Sequence, residues 1–275
     1  MTGREAPDSR GLQRVAGGAA PLVGRLARFG FGAKGLVTIL VGALAFRFAL
    51  GRGGRVTGMQ GAIQSLLDEP FGQAFLIVLA AGLAGHALWM FLAALADADR
   101  KGRGWQGIVE RIAFFVTGIG YALLAYGTLE LLSGQGGGGQ DIDAIAARVL
   151  TPHLGRGLVG LAGAIVMVAG VLQLRLAIRA GFRDSFRRGL TALERRILVV
   201  SGRAGYASLG VLSLMVGYSL LRVAIDYDPS EARGWDEALR LLSRLGEGGW
   251  PLVVVAVGLI LYGFFFVLLA RYRAL

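Results

Sequence analysis

Six long apolar segments divide this chain, and they fall into three similar pairs. The segments are Phe29 to Leu50, Gln73 to Ala96, Ile112 to Leu132, Leu158 to Ile178, Ala204 to Val223 and Pro251 to Ala270. A bilayer core of about 30 Å takes roughly 20 apolar helical residues to cross, and each segment meets that length. Backbone amides in lipid must bond within their own segment, so each is expected to be a helix. The alternating ten-residue strands of a membrane barrel are not visible. The expected fold is all-α: a polytopic membrane bundle of six transmembrane helices, built as three parallel two-helix repeats.

The pairs share a glycine spacing. In the first, Arg28 and Gly30-Phe31 precede Gly35, and Gly42 follows. In the third, Arg203 and Gly205-Tyr206 precede Gly210, and Gly217 follows at the same offset. In the second, Gly120 and Gly127 keep the spacing, with Arg111 two residues off the matching place. Seven residues make roughly two helical turns, so such glycines share one face. There they let backbones approach, which is how membrane helices gain packing energy. Among the second helices, Gly82-Leu83, His86 and Trp89 line up with Gly258-Leu259, Tyr262 and Phe265, and the fourth span fits only with a shift. The chain divides into a cytoplasmic tail at 1–26 and repeats at 27–99, 108–183 and 197–275.

The net charge of +11 raises the question of nucleic acid, but the placement of charge answers it. Arginines and a lysine crowd the N-terminal tail, the connections after the second and fourth spans, and the C-terminal tail. The alternate connections are rich in acids such as Asp68, Asp141, Asp226, Asp228 and Glu231. The positive-inside bias then puts both termini in the cytoplasm, with the basic residues facing anionic lipid. Membrane lipids, anionic on the cytoplasmic side, are the expected partners. No nucleic-acid partner is expected. The first span is read as an uncleaved anchor, since cleaved signal segments are shorter.

Each alternate connection carries a short amphipathic stretch: Gly61 to Gly72, Ile142 to Leu150, and Asp236 to Leu245. These suit helices lying at the interface or capping the bundle. Gly134 to Gln140 reads as a flexible joint.

The pattern Gly-Phe-x-Ala-Lys-Gly-Leu-Val at Gly30 to Val37, Leu-Leu-x-x-Pro-Phe-Gly at Leu66 to Gly72, and Gly-Leu-x-x-His-x-x-Trp at Gly82 to Trp89 resembles a bacterial family called domain of unknown function 1206. The resemblance is good in the first unit and degenerate in the second, which lacks the Ala-Lys-Gly and Pro-Phe-Gly. It implies two-helix units in a bacterial inner-membrane protein, and it implies no activity.

Charge at membrane depth is costly, so the polar residues inside spans are the candidate sites. They are Lys34, His86, Glu130 and Arg175. Lys34 can snorkel to the cytoplasmic interface or serve a pathway. His86 can relay protons or make an interhelical bond, for which Gln173 is another candidate. Arg28, Arg111 and Arg203 open three corresponding helices, as topology anchors or as a ring that holds an anionic headgroup. The chain has no cysteine, which removes thiolate chemistry. His153 and His86 do not make a metal site, and Asp226, Asp228 and Glu231 form an acidic loop that could bind a divalent cation weakly. The string Gly155-Arg-Gly-Leu-Val-Gly160 matches a dinucleotide fingerprint in letters only, because it opens a membrane helix instead of following a strand. No catalytic, cofactor or metal residues are assigned. Three functions are weighed: a non-catalytic scaffold, accessory or lipid-interacting bundle; a transporter or channel at a pseudo-threefold axis; and a lipid-acting enzyme.

Overall fold

The computed structural model describes residues 9–52, 58–67, 71–95, 104–133, 154–187, 189–226, 234–245 and 249–272. Eight α-helices run through them: α1 (Ser9–Ala49), α2 (Met59–Gln64), α3 (Gly72–Leu95), α4 (Trp105–Leu132), α5 (Leu154–Arg179), α6 (Ala192–Asp226), α7 (Trp235–Arg244) and α8 (Trp250–Tyr272). A 3-10 turn, Gly181–Ser185, joins α5 to α6. Six of these helices are long and apolar enough to cross a membrane.

Two of the six overrun the expected edges by more than ten residues. α1 continues back to Ser9, into what the sequence suggested as a tail. α6 begins at Ala192 and runs for 35 residues, about 52 Å at 1.5 Å per residue, against a bilayer core of about 30 Å. Extending a formed helix fixes one more residue for one more bond, so a helix anchored in lipid propagates outward readily.

The ends have local causes. Thr191 and Glu194 form a reciprocal cap at the start of α6: the Thr191 amide and hydroxyl both donate to Glu194 Oε2 at 2.9 Å, and the Glu194 amide donates to Thr191 Oγ1 at 3.2 Å. Ala180 stops α5 in a left-handed conformation, and its amide returns to the Leu176 carbonyl at 2.8 Å. Pro251 stands in the first turn of α8, where a missing amide proton leaves no bond unmade.

Of the three expected amphipathic stretches, Asp236 to Leu245 falls wholly and Gly61 to Gly72 in part among the described residues. In α7, Ala238, Leu239 and Leu242 are buried while Arg240 and Arg244 face out, and the helix packs on α6 and α8. α2 buries Ala62 and Ile63 and packs on α1 and α4. Ile142 to Leu150 and the joint from Gly134 to Gln140 lie outside the described residues.

The spanning helices pack in the order α4, α3, α1, α8, α6, α5. The first helix of each pair lies against the second helix of another pair: α4 on α3, α6 on α5, α1 on α8. Within pairs, α1 packs on α3 and α6 on α8. Among the described residues, α4 and α5 meet at most at isolated points.

Glycines carry the closest approaches. A Cβ built on Gly35 would lie 2.6 Å from the Gly263 carbonyl oxygen, and one on Gly42 would lie 2.9 Å from that of Ala256. The corresponding glycines of α6 do the same on α5: Gly210 would meet the Gly170 carbonyl at 3.0 Å, and Gly217 that of Gly163 at 2.9 Å. The second pair departs from the expectation. Gly127 is buried, but Gly120 is exposed, with nothing within 4 Å of an added Cβ. Gly118 takes the packing position instead, where a Cβ would stand 2.9 Å from the Phe91 ring. The correct register of α4 is therefore two residues earlier than the glycine spacing suggests, and it brings Arg111 into line with Arg28 and Arg203.

Candidate functional site

The tight seam at Gly35 carries its neighbour Lys34 onto α8. The Lys34 ammonium lies 4.1 Å from the Phe266 ring centroid, 5.2 Å from that of Tyr121 and 5.8 Å from that of Tyr262. These rings come from α8 and α4, so one lysine links helices of all three pairs. A cation on aromatic faces is drawn to the ring quadrupole, more strongly as water is excluded.

His86 belongs to the same cluster. It is 1% exposed on α3, with its ring 4.6 Å from Tyr121 at 84° and 5.3 Å from Phe31 at 66°. Tyr121 thus stands between His86 and Lys34. The third pair repeats half of this arrangement: Tyr206 and Tyr262, at the places of Phe31 and His86, have centroids 5.1 Å apart at 72°. Phe182 from the 3-10 turn stacks on Tyr206, and Phe265 and Phe266 complete a continuous aromatic cluster. Its edge nearest the end of α8 is tied down where Tyr272 donates to Glu194 Oε1 at 2.9 Å and the Arg187 amide to the Tyr272 carbonyl at 2.8 Å.

Glu130 and Arg175 lie elsewhere. Glu130 is half-buried near the end of α4, bonded to Tyr126 one turn before it. Arg175 is exposed on α5. The four intramembrane candidates are therefore one pair and two outliers.

Two of the three arginines stand at helix seams. Arg111 donates from Nε to the Ala94 carbonyl at 2.6 Å and from Nη2 to that of Leu95 at 3.0 Å. Arg203 donates to the Ile178 carbonyl at 2.8 Å, the place on α5 that matches Leu95 on α3. Both cap the carbonyl end of the neighbouring helix, where a cation also complements the dipole. Arg28 is exposed. Gln173 does bond between helices, accepting from Ser213 at 2.9 Å. In the acidic connection, Asp226 pairs with Arg222 at 2.6 Å, and Asp228 and Glu231 lie outside the described residues, as does His153. Among the described residues, no three His, Asp or Glu side chains cluster as metal ligands would.

Tyr121 and Phe266 were not foreseen as ring partners of Lys34, because they meet it across helices. The alignment of His86 with Tyr262 was the one clue that the second helices bring rings to this level.

The fold and this cluster define a multi-pass helical membrane protein in which the Lys34 ammonium on α1 meets rings of α4 and α8. The chain belongs to the family described as Domain of Unknown Function (DUF1206), whose model matches residues 29–97 and 204–273, the first and third pairs. It is also 32% identical over 271 residues to the uncharacterised protein YxxB of Bacillus subtilis (strain 168), with 98% of each chain covered. No solved structure matches it.

Proposed function

We propose that this protein is a non-catalytic, lipid-interacting helix bundle of the bacterial cytoplasmic membrane. Both termini are cytoplasmic, and the three pairs surround a pseudo-threefold axis along the membrane normal. The observation that carries this reading is the use made of Lys34: its ammonium fastens helices together on the rings of Phe266 and Tyr121. Arg111 and Arg203 support it by closing helix ends. The direct test is reconstitution into sealed vesicles with proton- and cation-sensitive dyes. The reading expects the leak of empty vesicles.

A second reading, a transporter or channel, is favoured by one observation: Lys34 and His86 share Tyr121. A flux lost in Lys34→Met would establish it in place of the first.

A further inference from the structure

The face of α6 that packs on α5 continues past the end of α5. Gly217 and Gly210 make the close approaches on that face. Arg203, seven residues before Gly210, ends the contact by donating to the Ile178 carbonyl at 2.8 Å. Arg196 is seven residues earlier again, so it extends the same face beyond the last turn of α5. The chain leaves α5 at Ala180 and packs Phe182 on another side of α6, against Gly202 and Tyr206. α8 does run beside this part of α6: Phe265 lies against Gly202, and Tyr272 donates to Glu194. The apolar run of α8 lasts to Ala270, so lipid reaches this stretch of α6. Leu193, Ile197 and Val200 are 67%, 40% and 55% exposed there. Arg196 and Arg203 are exposed among them, about 10 Å apart at 1.5 Å per residue. Glu194 is already engaged by Thr191 and Tyr272.

We infer that this uncovered face is a lipid site, in which the phosphate of an anionic phospholipid sits between Arg196 and Arg203 and an acyl chain lies along Val200. This inference rests on the lipid-interacting reading. Exposed apolar residues in a row mark a surface that lipid or protein covers. Cations set among them at the membrane edge call for a phosphate, which guanidinium donors bind in parallel. Arg203 uses Nη2 for Ile178 and keeps further donors. A second copy docked isologously on this face would bring two more arginines to it, like charge against like.

The test is native mass spectrometry of the full chain titrated with phosphatidylglycerol and, separately, phosphatidylcholine. One phosphatidylglycerol per chain is expected to persist where phosphatidylcholine is stripped. Arg196→Gln is expected to lower that preference about tenfold. Arg195→Gln, about 100° round the helix, is expected to leave it unchanged. Equal retention of both lipids by the unaltered chain overturns the site, and so does a preference that Arg196→Gln leaves intact. An equal loss in the two variants overturns it as well, since diffuse surface charge would then hold the lipid. A dimer that forms in place of bound lipid assigns the face to a second copy and overturns it too. Vesicle flux would overturn the non-catalytic bundle reading and leave this retention pattern in place, so the two failures are distinguishable.

Discussion

Gly30 lies so close to His86 that a methyl group in its place would stand 2.6 Å from the His86 Cα, and Gly205 has the same relation to Tyr262. Neither backbone can retreat without opening a pair, so these two glycines fix how α1 meets α3 and how α6 meets α8. Larger residues there overpack the seams, at a cost of about 1–3 kcal/mol each. Gly30→Leu and Gly205→Leu are expected to lower the unfolding midpoint in mixed micelles. Gly120→Leu, facing open space, is expected to shift stability by no more than about 0.5 kcal/mol.

Lys34 and Phe266 are expected to be coupled. The cation–ring contact is worth about 0.5–2 kcal/mol when partly desolvated. Phe266 also packs in the core, so its single replacement mixes two losses. A double-mutant cycle of Lys34→Met and Phe266→Leu separates them. A coupling of zero would mean that the ammonium does not hold α8.

Trp89 is buried, and its indole N–H has no acceptor among the described residues. An unmet buried donor costs about 1–3 kcal/mol. Phe265 fills the matching place in the third pair without a donor. Trp89→Phe is therefore expected to leave the thermal midpoint unchanged or raise it, where most core truncations lower it.

The cap at Thr191 closes the N-terminal end of α6. Thr191→Ala is expected to cost about 1 kcal/mol and to speed amide exchange in the first turn of α6. Tyr272→Phe removes one bond to the same carboxylate and is expected to have the smaller effect, because the Thr191 bonds to Glu194 remain.

The six spans were legible because a bilayer sets one length for all of them. The packing of α1 on α8 and α6 on α5 was foreshadowed by Gly35, Gly42, Gly210 and Gly217, since only glycine permits such approach. The second pair misled, because Gly120 and Gly127 reproduce the spacing two residues out of register. Arg111 was the better guide: its side chain must reach the carbonyls ending α3, which fixes its height. The rings around Lys34 were not legible, because Tyr121 and Phe266 come from helices distant in sequence, and periodicity reports one helix at a time.

Among the described residues, α5 packs along α6 and meets α4 at most at isolated points. The chain has no cysteine, so it is ready for paired substitutions. The Cβ of Ala224 lies 3.2 Å from one built on Gly160, near disulfide range, and this pair joins α5 to α6. Oxidative cross-linking in native membranes would compare Gly160→Cys with Ala224→Cys against Val116→Cys with Ile165→Cys. Rapid bridging is expected in the first pair and none in the second. Comparable bridging of Val116 and Ile165 positions would contradict this packing, since α4 and α5 would then close as the other pairs do.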